Sequence, residues 1–97
     1  MNASHQAAVT IFLSGALDLT VRETLKRQLA KAEDADQAII DLSGVTYAGT
    51  TLLNALLGLR HRMRTHGHDG MIKLVGSSPN LRKVLTITNL DRVFDVA

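Results

Sequence analysis

Residues Ala38 to Arg64, AIIDLSGVTYAGTTLLNALLGLRHRMR, hold the strand-to-helix transition on which any architecture for this chain depends. Ala38-Ile39-Ile40, closed by Asp41 and Leu42, is apolar at successive positions and stops at Ser43-Gly44, so it reads as a short, fully buried strand. Gly44 to Gly49 then reads as a loop that delivers Thr50 and Thr51 to a helix start. Leu52, Leu53, Leu56, Leu57, Leu59 and Met63 give that helix a broad apolar side. In an open α/β sheet the binding groups collect beyond the carboxyl ends of the strands. The rim formed by Tyr47, Gly49, Thr50 and Thr51 is therefore the first place to seek function.

Working towards the N-terminus, Ala7 to Leu13 reads as a strand covered on both faces, ended by Ser14-Gly15. Residues 1–6 are polar and are expected to be loose. Thr20 with Glu23 has the spacing of a capping box. Val21, Leu25, Leu29 and Ala32 then recur at helical spacing until the acidic turn Glu33-Asp34-Ala35-Asp36. Towards the C-terminus, Gly67 suits a left-handed helix cap. Met71 to Val75 forms a third strand, and Gly76 stops it. Ser78-Pro79 opens another helix, with serine as cap and proline in the first turn. Leu81, Val84, Leu85 and Ile87, with Leu90, are expected to form its buried stripe, and Val93 to Val96 a last short strand. Strict strand–helix alternation predicts an α/β fold with right-handed crossovers and a mostly parallel central sheet, in one domain over residues 1–97.

Composition narrows the function classes. A chain of 97 residues can bury one core without staples. With no cysteine there are no disulfides and no thiolate chemistry. Phe12, Tyr47 and Phe94 are the only aromatic residues, too few for a stacking surface, and a net charge of +2 does not call for nucleic acid. The first residues lack a basic segment followed by an apolar one, and no apolar run reaches the ~18–20 residues of a membrane span. A cytoplasmic protein without membrane insertion is expected. His61 and His66 are five residues apart, which is not a shared helix face, so no metal is expected there with His68 and Asp69. Arg60, Arg62, Arg64, Arg82, Lys83 and Arg92 read as scattered surface cations. Ser14, Ser43, Thr50 and Asp18 form no nucleophile–base pair, and no phosphate-binding glycine loop occurs. The expectation is a binding module with no cofactor, not an enzyme.

Four segments carry a resemblance when taken together and in order: Ser14-Gly15-Ala16-Leu17-Asp18, Asp41 to Tyr47, Val75 to Pro79, and Leu85 to Asp91. They resemble successive signatures of the STAS domain family, which includes bacterial anti-sigma factor antagonists, subunits of lipid-exporting ABC transporters and the tails of sulfate transporters. The resemblance spans about Val9 to Val96. In the antagonists the strand-to-helix loop reads aspartate, serine, serine or threonine, glycine, and the first hydroxyl is phosphorylated by a partner anti-sigma kinase. That phospho-acceptor falls on Thr50, with Thr51 as second choice. Gly49 stands where the family has its acid and Leu52 where it has glycine. The family's final helix would lie beyond Ala97. The implied function is that of an anti-sigma factor antagonist, cytoplasmic and able to self-associate. Its partner would be an anti-sigma factor with serine/threonine kinase activity, met through Tyr47, Gly49, Thr50, Thr51 and Asn54. The alternatives are a regulatory subunit of a lipid-transporting ABC complex and a scaffold in a signalling assembly. From the residues alone Thr50 reads first as a helix cap, and the resemblance brings the phospho-acceptor reading level with it.

Overall fold

Alternating apolar residues build the strands, and the alternation shows which face they bury. The computed structural model describes residues 6–97, with the side chains described from Ala7 onward. In chain order it contains β1 (Gln6–Leu17), α1 (Arg22–Leu29), β2 (Ala35–Ala48), α2 (Thr50–Thr65), β3 (Met71–Val75), α3 (Pro79–Ile87) and β4 (Asp95–Val96). Short 3-10 turns at Leu19–Val21, Ala30–Ala32 and Leu90–Arg92 join them. The loose segment expected over 1–6 lies outside the described residues except for Gln6, which opens β1.

The four strands form one parallel sheet in the order β1-β2-β3-β4. Successive right-handed crossovers in one direction place every crossover helix on the same face. Burial agrees. Ile11, Leu13, Ala38, Ile40, Leu42, Ile72 and Leu74 are buried together with Leu25, Leu29, Leu52, Leu56, Leu59 and Leu85 from the helices. The opposite face shows Thr10, Ile39, Asp41 and Lys73 partly or fully open, and Phe12 is 71% exposed. The expectation that the first strand is covered on both faces and the second fully buried is thus corrected.

Two other corrections concern length. Ser14-Gly15 does not end β1, and Gly44 to Ala48 is not a loop. Both strands run on as a pair, Ser14 opposite Gly44 and Leu17 opposite Ala48. Two irregularities in register, each with an extra residue on β2, absorb the mismatch. Asp41 supports the first, its carboxylate accepting from the Ser43 N–H (2.9 Å) and hydroxyl (2.6 Å). Gly15 meets the local bend with φ +79°.

The caps at the helix starts are local. Ser78 caps α3 as expected, its hydroxyl accepting from the Leu81 N–H at 3.2 Å. Before α1 the expected Thr20–Glu23 box is absent: Asp18 caps the 3-10 turn Leu19–Val21 instead, accepting from both the N–H and the hydroxyl of Thr20, and α1 itself has no side-chain cap. α2 ends as the sequence suggests. Gly67 (φ +91°) donates to Arg64 and His68 to Met63, the paired bonds of a Schellman cap. The acidic turn then ties down this end, a link the sequence reading missed. Glu33 pairs with Arg62, Asp34 with His66 (2.6 Å) and Asp36 with His68 (3.1 Å). Leu57 is open on α2, and Val84 and Ile87 are open on α3, the last at 73%. These were expected in apolar stripes, but each helix packs through a narrower seam, Leu81 and Leu85 in the case of α3.

Candidate functional site

Three strand ends meet at one edge of the molecule. β1 runs into Asp18, β2 into Gly49 and β3 into Gly76-Ser77-Ser78. The bulged end of β2 stands between them, carrying Val45 to Ala48 and then the first turn of α2. On one side a cleft of about 220 Å³ separates it from α3, bounded by Tyr47, Thr46, Ser78, Asn80, Leu81 and Val84. On the other side Thr50, Thr51 and Asn54 face Leu19, Arg22 and Lys26 across a groove towards α1.

The predicted rim residues are brought together here. Tyr47 is 58% exposed, Thr50 and Asn54 are exposed, and Gly49 and Thr51 are half-buried. Thr50 is the first residue of α2, and no side chain caps that helix. The cap reading of Thr50 is therefore corrected: the residue lies one position too far along the chain, inside the helix. The Leu53 N–H reaches the Gly49 carbonyl at 3.3 Å, leaving the preceding helical N–H groups turned outward at the positive end of the helix dipole.

A Cβ at position 49 would lie 3.0 Å from the hydroxyl of the exposed Tyr47, a contact that a shift of the tyrosine side chain relieves. The reading from sequence missed Val84, whose open apolar side chain borders the cleft, and Ile87, exposed at the far end of α3. Their helical spacing was visible, but it is equally the spacing of a core stripe.

Two carboxylates brace the edge. The Thr20 hydroxyl and then its N–H hold Asp18 below the usual carboxylate range, and Ser43 does the same for Asp41 through the corresponding groups. A carboxyl lowered on folding adds stability above its unfolded pKa, and this is lost as pH falls through its folded value. We expect the stability advantage of the wild type over Asp18→Asn/Asp41→Asn to be steady at neutral pH. It should shrink once pH drops below the ordinary value of 3.8, as read by urea unfolding across an acid series. Among the described residues, no three of His, Cys, Asp or Glu are grouped to hold a metal ion. No described helix is long and apolar enough to cross a membrane.

A family model for the STAS domain matches residues 1–97. The chain belongs to the STAS domain family. A STAS-domain containing protein of Pseudomonas aeruginosa is 28% identical over 90 residues, covering 92% of this chain and 87% of that protein. Among solved structures, the anti-sigma factor antagonist SpoIIAA in its unphosphorylated form is similar with a TM-score of 0.65. That match has 20% identity and covers 91% of this chain and 90% of the other. The Bacillus cell fate determinant SpoIIAA in the phosphorylated form gives a TM-score of 0.69, again at 20% identity, over 95% and 84%. At this identity the likeness is one of fold. This STAS chain accordingly shares the four-stranded parallel architecture, with its exposed Thr50 at the start of α2.

Proposed function

We propose that this STAS domain is a cytoplasmic anti-sigma factor antagonist. It binds an anti-sigma factor with serine/threonine kinase activity through Tyr47, Gly49, Thr50, Thr51 and Asn54. Phosphorylation at Thr50 then switches the contact. The observation that carries this reading is the uncapped, exposed Thr50 at the head of α2, between two recesses, in a fold similar to that of a known antagonist. Its hydroxyl is not engaged as a cap, so a kinase can transfer the terminal phosphoryl group of ATP to it, releasing ADP and a proton.

The product would carry about −1.5 to −2 charge at neutral pH. An anion at a helix N-terminus is stabilised by typically ~0.3–1 kcal/mol, so the domain stays folded and the switch acts on the partner. The site supports binding rather than catalysis. The hydroxyls of Thr20 and Ser43 donate to the carboxylates of Asp18 and Asp41, two residues back in the chain, at the turn before α1 and at the irregularity of β2.

Affinity capture from the native cells, with mass spectrometry of partners and of Thr50, tests the reading. A soluble ATP-binding anti-sigma protein, with phosphate on part of the Thr50 pool, is the expected catch. Thr50→Glu should weaken that complex by about tenfold or more, equivalent to ~1.4 kcal/mol, while Thr50→Ala retains it. A Thr50→Glu protein that binds as well as wild type overturns the switch.

A further inference from the structure

A groove runs between α1 and α2 over small residues of α2, and its walls are charged. Ala55 and Gly58 floor a groove of about 520 Å³ that begins at Thr50, with Arg22 and Lys26 on its α1 wall. A second hollow continues it past Lys26 to Arg27, Ala30 and Glu33. Arg62 borders both hollows, and a Cβ on Gly58 would lie 3.3 Å from its Nη1. Any side chain at 58 would therefore press on the guanidinium and narrow the groove.

Four cations, Arg22, Lys26, Arg27 and Arg62, outnumber the two carboxylates, Glu23 and Glu33. The carboxylates are already engaged. Glu33 pairs with Arg62 Nε, and Glu23 lies 3.7 Å from Arg22 Nε. Lys26 has no ion pair among the described residues, and Arg62 Nη2 is buried without a hydrogen-bond acceptor. The excess positive charge thus lies along one track rather than being scattered over the surface. From Thr50 to Arg62 that track is about 18 Å long at 1.5 Å per helical residue.

We propose that this groove receives an acidic segment of the partner protein. Its carboxylates would meet Lys26, Arg22 and Arg62, and an apolar residue would sit on Leu19, which is 70% exposed at the mouth. The inference rests on the proposed function for the partner being a protein; the charge of the groove stands without it. It also explains how a phosphate could act. On Thr50 the phosphate would lie at the mouth of the groove and compete with the incoming acid for Arg22 and Lys26.

The test is a titration of the full ¹⁵N-labelled chain with a glutamate-rich peptide of roughly twelve residues, long enough to follow the track. Shift changes should concentrate at Arg22, Lys26, Ala55, Gly58 and Arg62. Binding should weaken by about tenfold in Lys26→Glu and again in high salt, and be unchanged in Arg82→Glu/Lys83→Glu on α3. Shifts spread evenly over all cationic residues, or equal binding by Lys26→Glu, overturn the proposal. So does tighter binding of phosphatidylglycerol vesicles at the same residues, which would make the groove a membrane contact. If the peptide fails while capture stays sensitive to Thr50→Glu, the groove is wrong and the antagonist reading stands. If the peptide binds as expected while capture ignores Thr50, the acidic track stands and the switch falls.

Discussion

Replacing Phe94 with alanine is expected to lower the unfolding free energy by about 4 kcal/mol, the usual cost of removing a fully buried phenyl ring. Phe94 is 1% exposed and is among the largest side chains wholly inside the core. Its position amplifies the effect. It joins the 3-10 turn Leu90–Arg92 to β4, its N–H donating to the Leu90 carbonyl at 2.9 Å. β4 itself is only two residues long, pairing Asp95 with Lys73 and Val96 with Leu74. So short an edge strand has little cohesion of its own and is held in place by the ring beside it. Against a total stability of the order of 5–15 kcal/mol, the variant should be marginal. Urea unfolding measures the loss, and hydrogen exchange at the β3–β4 pair should rise first. A loss below ~1 kcal/mol would mean that the ring is not packed as described.

The second large effect is expected at Gly76, which ends β3 beneath the functional edge. Its φ is +72°, and a Cβ would come within 2.9 Å of both the Ser43 Cβ and the Ser43 backbone nitrogen. Gly76→Ala therefore combines a left-handed alanine, about 1–2 kcal/mol, with a collision against the β2 backbone, about 1–3 kcal/mol. A total of about 3 kcal/mol is expected. Gly67→Ala is the matched control. It has φ +91° but nothing within 4 Å of the new methyl, so it should show the conformational cost alone. The two variants compared in one denaturation series separate strain from collision, and equal losses would remove the collision from the account. Because Ser43 belongs to the first irregularity of β2, Gly76→Ala should also shift amide resonances from Val45 to Thr51, whereas Gly67→Ala should not.

Gly67 and Gly76 also show how legible this chain is. Both were read as stops, and both are. Only one is crowded, and nothing within a few residues of Gly76 in the sequence announces Ser43. The site divides in the same way. The threonines after Gly49, with Tyr47 before it, marked the edge from the strand–helix pattern and from the family signatures. The groove along α1 did not show, because Arg62 reads in the sequence as one more surface cation and nothing near it in the chain places Arg22 and Lys26 of another helix beside it. Val84 and Ile87 were assigned to the core because helical spacing says which residues share a face but not how wide the packed seam is. Asp18 displaced Thr20 as the cap because a carboxylate just before the turn can accept from both groups of Thr20 at once.

What the sequence alone determined are the features whose causes lie within a few residues: the order of strands and helices, the Ser78-Pro79 start, the Gly67 cap and the family signatures. Parallel pairing also followed, since alternation with short connections permits little else. The tertiary structure decided what depends on groups far apart in the chain. The end of β1 stays a strand because Gly44 to Ala48 pairs with it, and β2 stays a strand for the same reason. One face of the sheet is open because all the crossovers turn to the other. The acidic turn at 33–36 clasps α2 through Arg62, His66 and His68, and the cations of two helices line one groove. Local propensity acts over one or two turns of chain, whereas pairing, burial and charge act through space, where only the folded chain sets the distances.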